Sequence, residues 1–295
     1  MKVIIFGSSG QDGTYLSELL EKKGIKVLKV SRAGNEINGS VADFNFVSSI
    51  VKFNRPDFIF HLAAVSTTRH SALFDNHEAI STGTLNILES VRLHNPTCKV
   101  FLSGSAMQFK NTGEPIDENI PFEASSPYSV SRIQSVYAGR YYRSAFGLRV
   151  YTGYFFNHDS PLRSVDHINQ KIVSVVFRIS QGSDEKLELG NINVQKEFSF
   201  AGDIVEAIWN LVSQEEIFEA VIGSGKAYSI KDFTEYCFQK INKNYRDYLV
   251  IKKDFKPEYS ILVSNPSVIN SIGWKPKTDF HQLADLMMES YDRNH

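Results

Sequence analysis

Apolar side chains recur along the chain in two alternating rhythms. Residues 3–6, 26–31, 57–64, 100–105 and 150–156 form short runs enriched in aliphatic and aromatic side chains and bounded by polar or glycine-containing turns, the pattern of strands buried on both faces. Between them the spacing becomes helical, as at Tyr15, Leu16, Leu19 and Leu20, and again across residues 44–53, 76–92 and 128–146. Strand and helix thus alternate from the first residues, which predicts an α/β fold built on a doubly wound parallel sheet. The alternation loosens after residue 160, where Gly190, Pro257, Pro266 and Pro276 interrupt it. Residues 203–212 and 220–223 regain it and are expected to return to the sheet. The expected division is a main domain of residues 1–160 with 201–226, and a smaller α/β lobe of residues 161–200 and 227–295 over the cleft. Ligands of such sheets bind at the carboxyl ends of the strands, so Gly7, Ala64 and Ser105 should line one crevice.

The first strand run stops at Gly7-Ser8-Ser9-Gly10-Gln11-Asp12-Gly13, and helical spacing follows directly. A glycine turn between strand and helix is where a Rossmann fold holds a dinucleotide. Gly7 permits the tight turn, Gly10 lets backbone approach a pyrophosphate, and Gly13 allows close helix–strand contact. Unpaired N–H groups at the helix start face the anion. The spacing is GxxGxxG rather than GxGxxG, and such turns also form without a ligand.

Arg32 ends the second strand run, where an acidic residue would accept hydrogen bonds from the adenosine ribose. A cation there pairs with a 2′-phosphate, which favours NADP(H) over NAD(H); a solvated loop arginine is the ordinary alternative. Residues 39–43, with Val41 at their centre, form a turn suited to the adenine side, and Leu62, Ala63 and Ala64 end the third run in small residues against which a flat ring or ribose can lie.

Composition narrows the partners. A chain of 295 residues can bury a full core, and a formal net charge of −1 with a pI near 6.7 gives no general attraction to nucleic acid or to an anionic membrane. Residues 3–6 are too short for a signal-peptide core, and no later run approaches a membrane span. Cys98 and Cys237 sit in unlike contexts, which suits free thiols in a reducing compartment. A cytoplasmic protein is expected. The eight histidines form neither HExxH nor a compact Cys/His set, so no metal is expected. His61 reads as a satisfied core histidine.

Tyr128 and Arg132 are four residues apart and share one helical face. Ser105 ends the neighbouring strand, so a hydroxyl, a phenol and a cation converge on one cleft. A tyrosine and an arginine on a partly exposed helix are the plainer reading of the pair alone.

With these residues, and with residues 82–89, 156–161, 189–191 and 273–276 in order, the chain resembles the extended short-chain dehydrogenase/reductase family, and within it the GDP-mannose 4,6-dehydratase branch. The resemblance implies a nicotinamide cofactor held by Gly7, Ser9, Gly10, Gln11, Asp12, Gly13, Arg32, Val41, Leu62, Ala63, Ala64, Tyr128 and Arg132. It implies Ser105 as the catalytic hydroxyl and Tyr128 as the acid/base, supported by Arg132. It implies a nucleotide-sugar substrate, a GDP-hexose being favoured, contacted by Ser66, Met107, Asn157, Lys171, Lys196, Lys256 and Glu258. Lys196 and Lys256 stand where the family usually has arginines facing the pyrophosphate, so the charge is kept and the bidentate fork lost. A homodimer or homotetramer is also implied, with Tyr137, Tyr141, Tyr142 and Phe146 as its contact; a core stripe is the other reading.

Two departures bear on the reaction. The family's dehydratases carry a Glu two residues after the catalytic Ser/Thr to remove the C5 proton, and Met107 stands there. The family's Tyr-x-x-x-Lys reads Tyr128-Ser-Val-Ser-Arg132, which keeps the cation but changes its shape. Hydride transfer at hexose C4 is therefore the leading expectation, as ketoreductase, dehydrogenase or epimerase. A 4,6-dehydratase with a substitute base among Glu114, Asp117, Glu118 and Glu123 is the second. A cofactor- or nucleotide-sugar-binding protein without turnover is the third.

Overall fold

The alternating half of the chain folds into one seven-stranded parallel sheet in the computed structural model, which describes residues 1–34, 37–252 and 254–294. Its strands are β1 (Lys2–Phe6), β2 (Lys26–Ser31), β3 (Ile37–Asn38), β4 (Phe58–His61), β5 (Lys99–Ser105) and β6 (Arg149–Phe155), and the seventh joins from later in the chain. The short strands β7 (His158–Asp159), β8 (Leu187–Leu189), β9 (Gln195–Glu197) and β10 (Ser199–Phe200) precede that seventh strand, β11 (Glu219–Ile222). The spatial order is β11-β6-β5-β4-β1-β2-β3. From β1 the chain steps outward to β2 and β3, then returns to the other side of β1 to lay down β4. The order reverses between β1 and β4, and that is where such sheets open a ligand crevice.

Strand periodicity fills both faces of the sheet. Val3, Ile5, Phe60, Phe101 and Tyr151 point to one side, where α1 (Gln11–Lys22) and a later helix, residues 201–212, cover them. Ile4, Phe6, Ile59, Val100, Leu102 and Val150 point to the other, under α2 (Phe44–Asn54) and residues 83–94. Every one of these strand residues is essentially inaccessible to water, and burial on this scale is what holds the layers together.

Where one helix was expected over residues 76–92, the chain makes three pieces. They are α3 (Leu73–Asn76), a π-helical turn (His77–Thr82) and α4 (Gly83–His94). Polar partners account for the wide turn: the Ile80 carbonyl lies 3.4 Å from His61 Nε2, and Ser81 Oγ donates to Gln134 Oε1 at 2.7 Å. The strand expected over residues 57–64 is β4, and it ends at His61. Leu62 N still donates to Phe6 O, but Gly7 then turns away, and beyond it the chain of β1 offers no ladder partner.

The helix carrying Tyr128 is α5 (Pro127–Phe146), and local chemistry sets both its ends. Ser126 caps it, accepting from Ser129 N while Ser129 Oγ accepts from Ser126 N, and Pro127 occupies the first helical position, where a missing N–H costs nothing. Gly147 closes it at φ 66°. Tyr128 therefore sits in the first turn, next to the end of β5.

The rest of the chain packs around a separate apolar cluster. It uses α6 (Ile168–Ser180), α8 (Ile230–Lys240) and α10 (Phe280–Asn294), with Phe198, Phe233 and Phe280 in ring contact. Here α7 (Ala201–Val212) is the helix already described on the main sheet, and α9 (Ser267–Ser271) is a short link. Three small strands, β12 (Ala227–Ser229), β13 (Leu249–Ile251) and β14 (Ile261–Leu262), complete the set. They pair as β12-β9-β14 and β13-β8, and β10 pairs with β7. Cys98 and Cys237 are buried free thiols. No described helix is long and apolar enough to cross a membrane.

Two glycines should respond differently to a methyl group. A Cβ on Gly13 would lie 2.3 Å from Gly7 O and 2.6 Å from Ser8 Cα, backbone atoms with no room to move. Gly24 has φ +73° but open space around it. Gly13→Ala should lose at least about 3 kcal/mol in urea unfolding, whereas Gly24→Ala should lose only about 1–2 kcal/mol. Equal losses would mean that the turn is not held by that close approach.

Candidate active site

Two neighbouring cavities lie along the carboxyl edge of the sheet, sharing Leu62 and Ala64. The first, about 350 Å³, is lined by Gly7, Ser9 and Gly10 of the glycine turn, by Arg32 and Val41, and by Leu62, Ala63 and Ala64. Gly10 is the N-cap of α1 and supplies no side-chain cap, so the first-turn N–H groups stay open to an anion. Arg32 is exposed at the rim. Asp75 and Glu78 also line this cavity. The strand and turn pattern gave no hint of them, since they arrive on α3 and the π turn.

The second cavity, about 380 Å³, brings together Ser105, Tyr128, Arg132, Met107, Asn157 and Lys196, with Ser66 and Asp12 at its edges. Ser105 ends β5 and is buried. Its Oγ accepts from Met107 N at 3.2 Å, which leaves the O–H free to donate into the cavity. Tyr128 is half-buried, and the Arg132 guanidinium carbon stands 5.0 Å from its ring centroid, a cation–π contact. Arg132 Nη1 donates to Ser103 O and, at 2.7 Å, to Ser103 Oγ. Instead of reaching freely toward a ribose, the guanidinium is tied to the strand that carries Ser105. Its Nε is buried without a partner among the described residues.

His61 lies beneath this group. Burial first, and the Arg132 charge second, push its pKa down to about 4, so the ring is neutral. Nε2 meets the Ile80 carbonyl at 3.4 Å while Nδ1 has no partner among the described residues, so the expected satisfied core histidine is only half satisfied there.

The far wall is a charged network that joins the glycine turn to β7. Ser160 Oγ donates to Gln11 Oε1 at 2.7 Å, Gln11 Nε2 donates to Asp12 Oδ1 at 3.1 Å, and His158 Nε2 lies 2.9 Å from the same carboxylate oxygen. His158 Nδ1 donates to Phe156 O at 2.8 Å, so both ring nitrogens face acceptors. Burial opposes charge on His158, but Asp12 outweighs it and raises the pKa. Burial also opposes charge on Asp12, and there His158 and Arg163 hold the carboxyl well below its ordinary range. The other carboxylate on this cavity, Asp159, accepts from Asn169 Nδ2 at 2.6 Å and from Arg163 Nε at 3.2 Å.

Lys196 is buried, and among the described residues its ammonium makes no hydrogen bond or ion pair; it stands 5.0 Å from the Phe198 ring centroid. Burial lowers its pKa.

A family model described as GDP-mannose 4,6 dehydratase matches residues 4–287. The chain belongs to the GDP-mannose 4,6-dehydratase family. It is similar to GDP-mannose 4,6 dehydratase 1 of Arabidopsis thaliana, with 31% identity over 97% of this chain and 88% of the relative. With the GDP-mannose 4,6-dehydratase of Vibrio cholerae it shares 28% identity over 81% of this chain and 72% of the relative. Among solved structures, RMD from Pseudomonas aeruginosa complexed with NADPH has a TM-score of 0.87 at 20% identity, covering 100% of this chain and 99% of that one. The dTDP-glucose 4,6-dehydratase of Bacillus anthracis in complex with NAD has 0.88 at 16%, covering 100% and 97%. At such identities these two structures share the fold.

Against the family pattern, the remaining expected residues distribute unevenly. Gln11 is buried behind the cavities and Gly13 packs on Gly7 O. Lys171 and Lys256 are not among the lining residues: Lys171 Nζ donates to Glu188 O at 2.7 Å, and Lys256 is exposed. Glu258 is also off the lining, accepting from Thr68 Oγ1 across the cavity mouth. Of the four acids near Met107 in sequence, none is a lining residue, and Glu118 accepts from Val221 N at 2.6 Å. His158, Asp159, Arg163 and His167 line the second cavity although residue spacing did not single them out.

The Asp12–His158 pair makes stability depend on pH with a definite sign. A raised His158 pKa contributes stability in full below the ordinary imidazole value of about 6.5 and loses it as pH climbs through the folded value. The depressed Asp12 pKa acts oppositely, contributing above the carboxylate range and failing on acidification. Replacing His158 with Gln should cost about 1–3 kcal/mol at pH 6, and the gap to wild type should narrow toward pH 9. Urea unfolding at the two pH values measures it; a gap that widens with pH contradicts the assignment.

Proposed function

We propose that the protein transfers hydride at C4 of a nucleotide-activated hexose, a GDP-sugar, using NADP(H). One observation carries this reading: a hydroxyl, Ser105, and a phenol, Tyr128, share a cavity with a thioether, Met107, at the position where the resemblance puts the dehydratases' base. Both carboxylates on the cavity, Asp12 and Asp159, are already held by cations.

The glycine turn, the uncapped start of α1 and the cradle at Leu62, Ala63 and Ala64 fit a dinucleotide, and Arg32 fits a 2′-phosphate that NAD(H) lacks. When bound, the nicotinamide supplies or accepts the hydride. Ser105 donates to the C4 oxygen, its own acceptor need being met by Met107 N. Tyr128 gives that oxygen a proton during reduction or takes one during oxidation. Arg132, anchored on Ser103 and stacked on the phenol ring, offsets the negative charge that develops on Tyr128. Lys196 meets the substrate diphosphate, and residues 161–200 and 227–295 form the lobe that holds the nucleotide sugar. The buried free thiols fit the reducing cytoplasm.

Incubation with NADPH and a GDP-4-keto-6-deoxyhexose should consume NADPH absorbance, and Tyr128→Phe should slow that by at least about 100-fold while cofactor binding persists. Turnover of a GDP-hexose in deuterated water should leave C5 unlabelled. Deuterium at C5 would support dehydration with a substitute base, and no reaction in either direction would support a binding protein without turnover.

The same reading includes a homodimer formed through α4 and α5. Tyr137 and Tyr141 are 57% and 56% exposed, and Leu85 and Leu93 of α4 are 49% and 48% exposed, aromatic and aliphatic side chains that a partner could cover. Tyr142 is core instead, its O–H on Glu89 Oε2 at 2.9 Å. Wild type should sediment as a dimer or tetramer and Tyr141→Glu as a smaller species; an unchanged mass would exclude this face.

A further inference from the structure

The strand that brings Lys196 to the cavity also carries a buried carboxylate bound by two separate backbone segments. Lys196 and Glu197 are consecutive on β9, and strand alternation sends their side chains to opposite faces. Lys196 lines the second cavity, while Glu197 is wholly buried. Its Oε1 accepts from Ser264 N at 2.6 Å, Ser264 Oγ at 2.5 Å and Gly225 N at 3.2 Å. Its Oε2 accepts from Ser224 N and, at 3.1 Å, from Ser224 Oγ. Ser224 and Gly225 form the turn between β11 and β12, and Ser264 follows β14.

These segments are the neighbours of Lys196. In the small sheet Lys196 pairs with Tyr228 of β12 on one side and with Leu262 of β14 on the other, and Leu262 also lines the cavity. A Cβ on Gly223 would lie 2.4 Å from Glu197 Oε2, so glycine is what lets the turn come this close. All five partners donate, three of them through backbone N–H groups shared between the two oxygens. No neutral amide can replace this carboxylate without turning its NH₂ toward at least one of those N–H groups.

We propose that Glu197 is a positioning residue for substrate binding: by clamping β9 to the β11–β12 turn and to β14, it holds the unpaired Lys196 ammonium toward the cavity to receive the nucleotide diphosphate. This rests on the reading of Lys196 as the diphosphate contact. Lys196 has no hydrogen-bond or ion-pair partner of its own among the described residues, so the placement of its strand, with the face of Phe198, sets where its charge lies. The clamp does that on the face away from solvent, and it needs no contact with substrate.

Titration calorimetry with GDP, and separately with NADPH, tests the proposal in wild type, Glu197→Gln, Lys196→Met and the double variant. Glu197→Gln should weaken GDP about tenfold and leave NADPH within about twofold, and in the Lys196→Met background it should weaken GDP no further. With a GDP-sugar substrate the Glu197→Gln variant should raise KM and preserve kcat. Ser264→Ala removes one of the five donors and keeps the charge; it should weaken GDP about threefold in the same Lys196-dependent way, which tests the clamp even if Glu197→Gln does not fold. Equal loss of GDP and NADPH binding, or a further loss on top of Lys196→Met, would overturn the proposal. Wild-type GDP affinity in Lys196→Met would remove its basis while leaving the C4 chemistry standing, whereas a wild-type protein that binds NADPH but no GDP would sink the GDP-sugar reading itself.

Discussion

The approach of two backbones at Gly7 is the constraint on which the rest of the molecule depends. Gly7 adopts φ +89°, and a Cβ there would lie 2.5 Å from Ala63 N. Only a residue without a side chain lets the end of β1 turn away this tightly beside the end of β4. That turn ends the ladder between β1 and β4, opens the crevice at the point where the strand order reverses, and directs the start of α1 into it. Gly13, packed on Gly7 O, keeps α1 against the sheet. The two cavities exist because these contacts hold.

Around that crevice the protein handles buried charge in three ways. Asp12 and His158 neutralise one another, and the pair joins the glycine turn to β7. Arg132 is satisfied in part, by Ser103 and by the face of Tyr128, and its charge adds to burial in keeping the neighbouring His61 neutral. Lys196 has no hydrogen-bond or ion-pair partner among the described residues and lines the second cavity, so the diphosphate proposed above would meet an uncompensated charge there. The carboxylate of Glu197, by contrast, is bound by five donors and is rigid for that reason.

Family membership and reaction need not coincide. The chain belongs with GDP-mannose 4,6-dehydratases over almost its full length, yet Met107 cannot accept a proton, and the acids nearest it in sequence are not lining residues of the cavity. The hydroxyl and the phenol remain. A fold shared across oxidation, reduction and elimination can lose one of these steps by a single side-chain change, because each step uses its own group.

Much of this was legible in residue order. The strands expected at 26–31 and 100–105, the crossover helix at 44–53 and the long helix from Tyr128, each observed to within a residue, were written in short-range periodicity, capping residues and glycine, all of which act within a few positions. The crossover rules put Gly7, Ala64 and Ser105 on one crevice; Ala64 lines both cavities, Gly7 the first and Ser105 the second. Tertiary structure alone decided what depends on partners far along the chain. It bent the helix before residue 83 into a π turn to meet His61, bound Arg132 to Ser103, joined Asp12 to His158, and turned Lys171 to Glu188 rather than to the cavity. Periodicity records which face a side chain takes; which group it meets there depends on distances of a few ångströms between segments that the chain brings together only when folded.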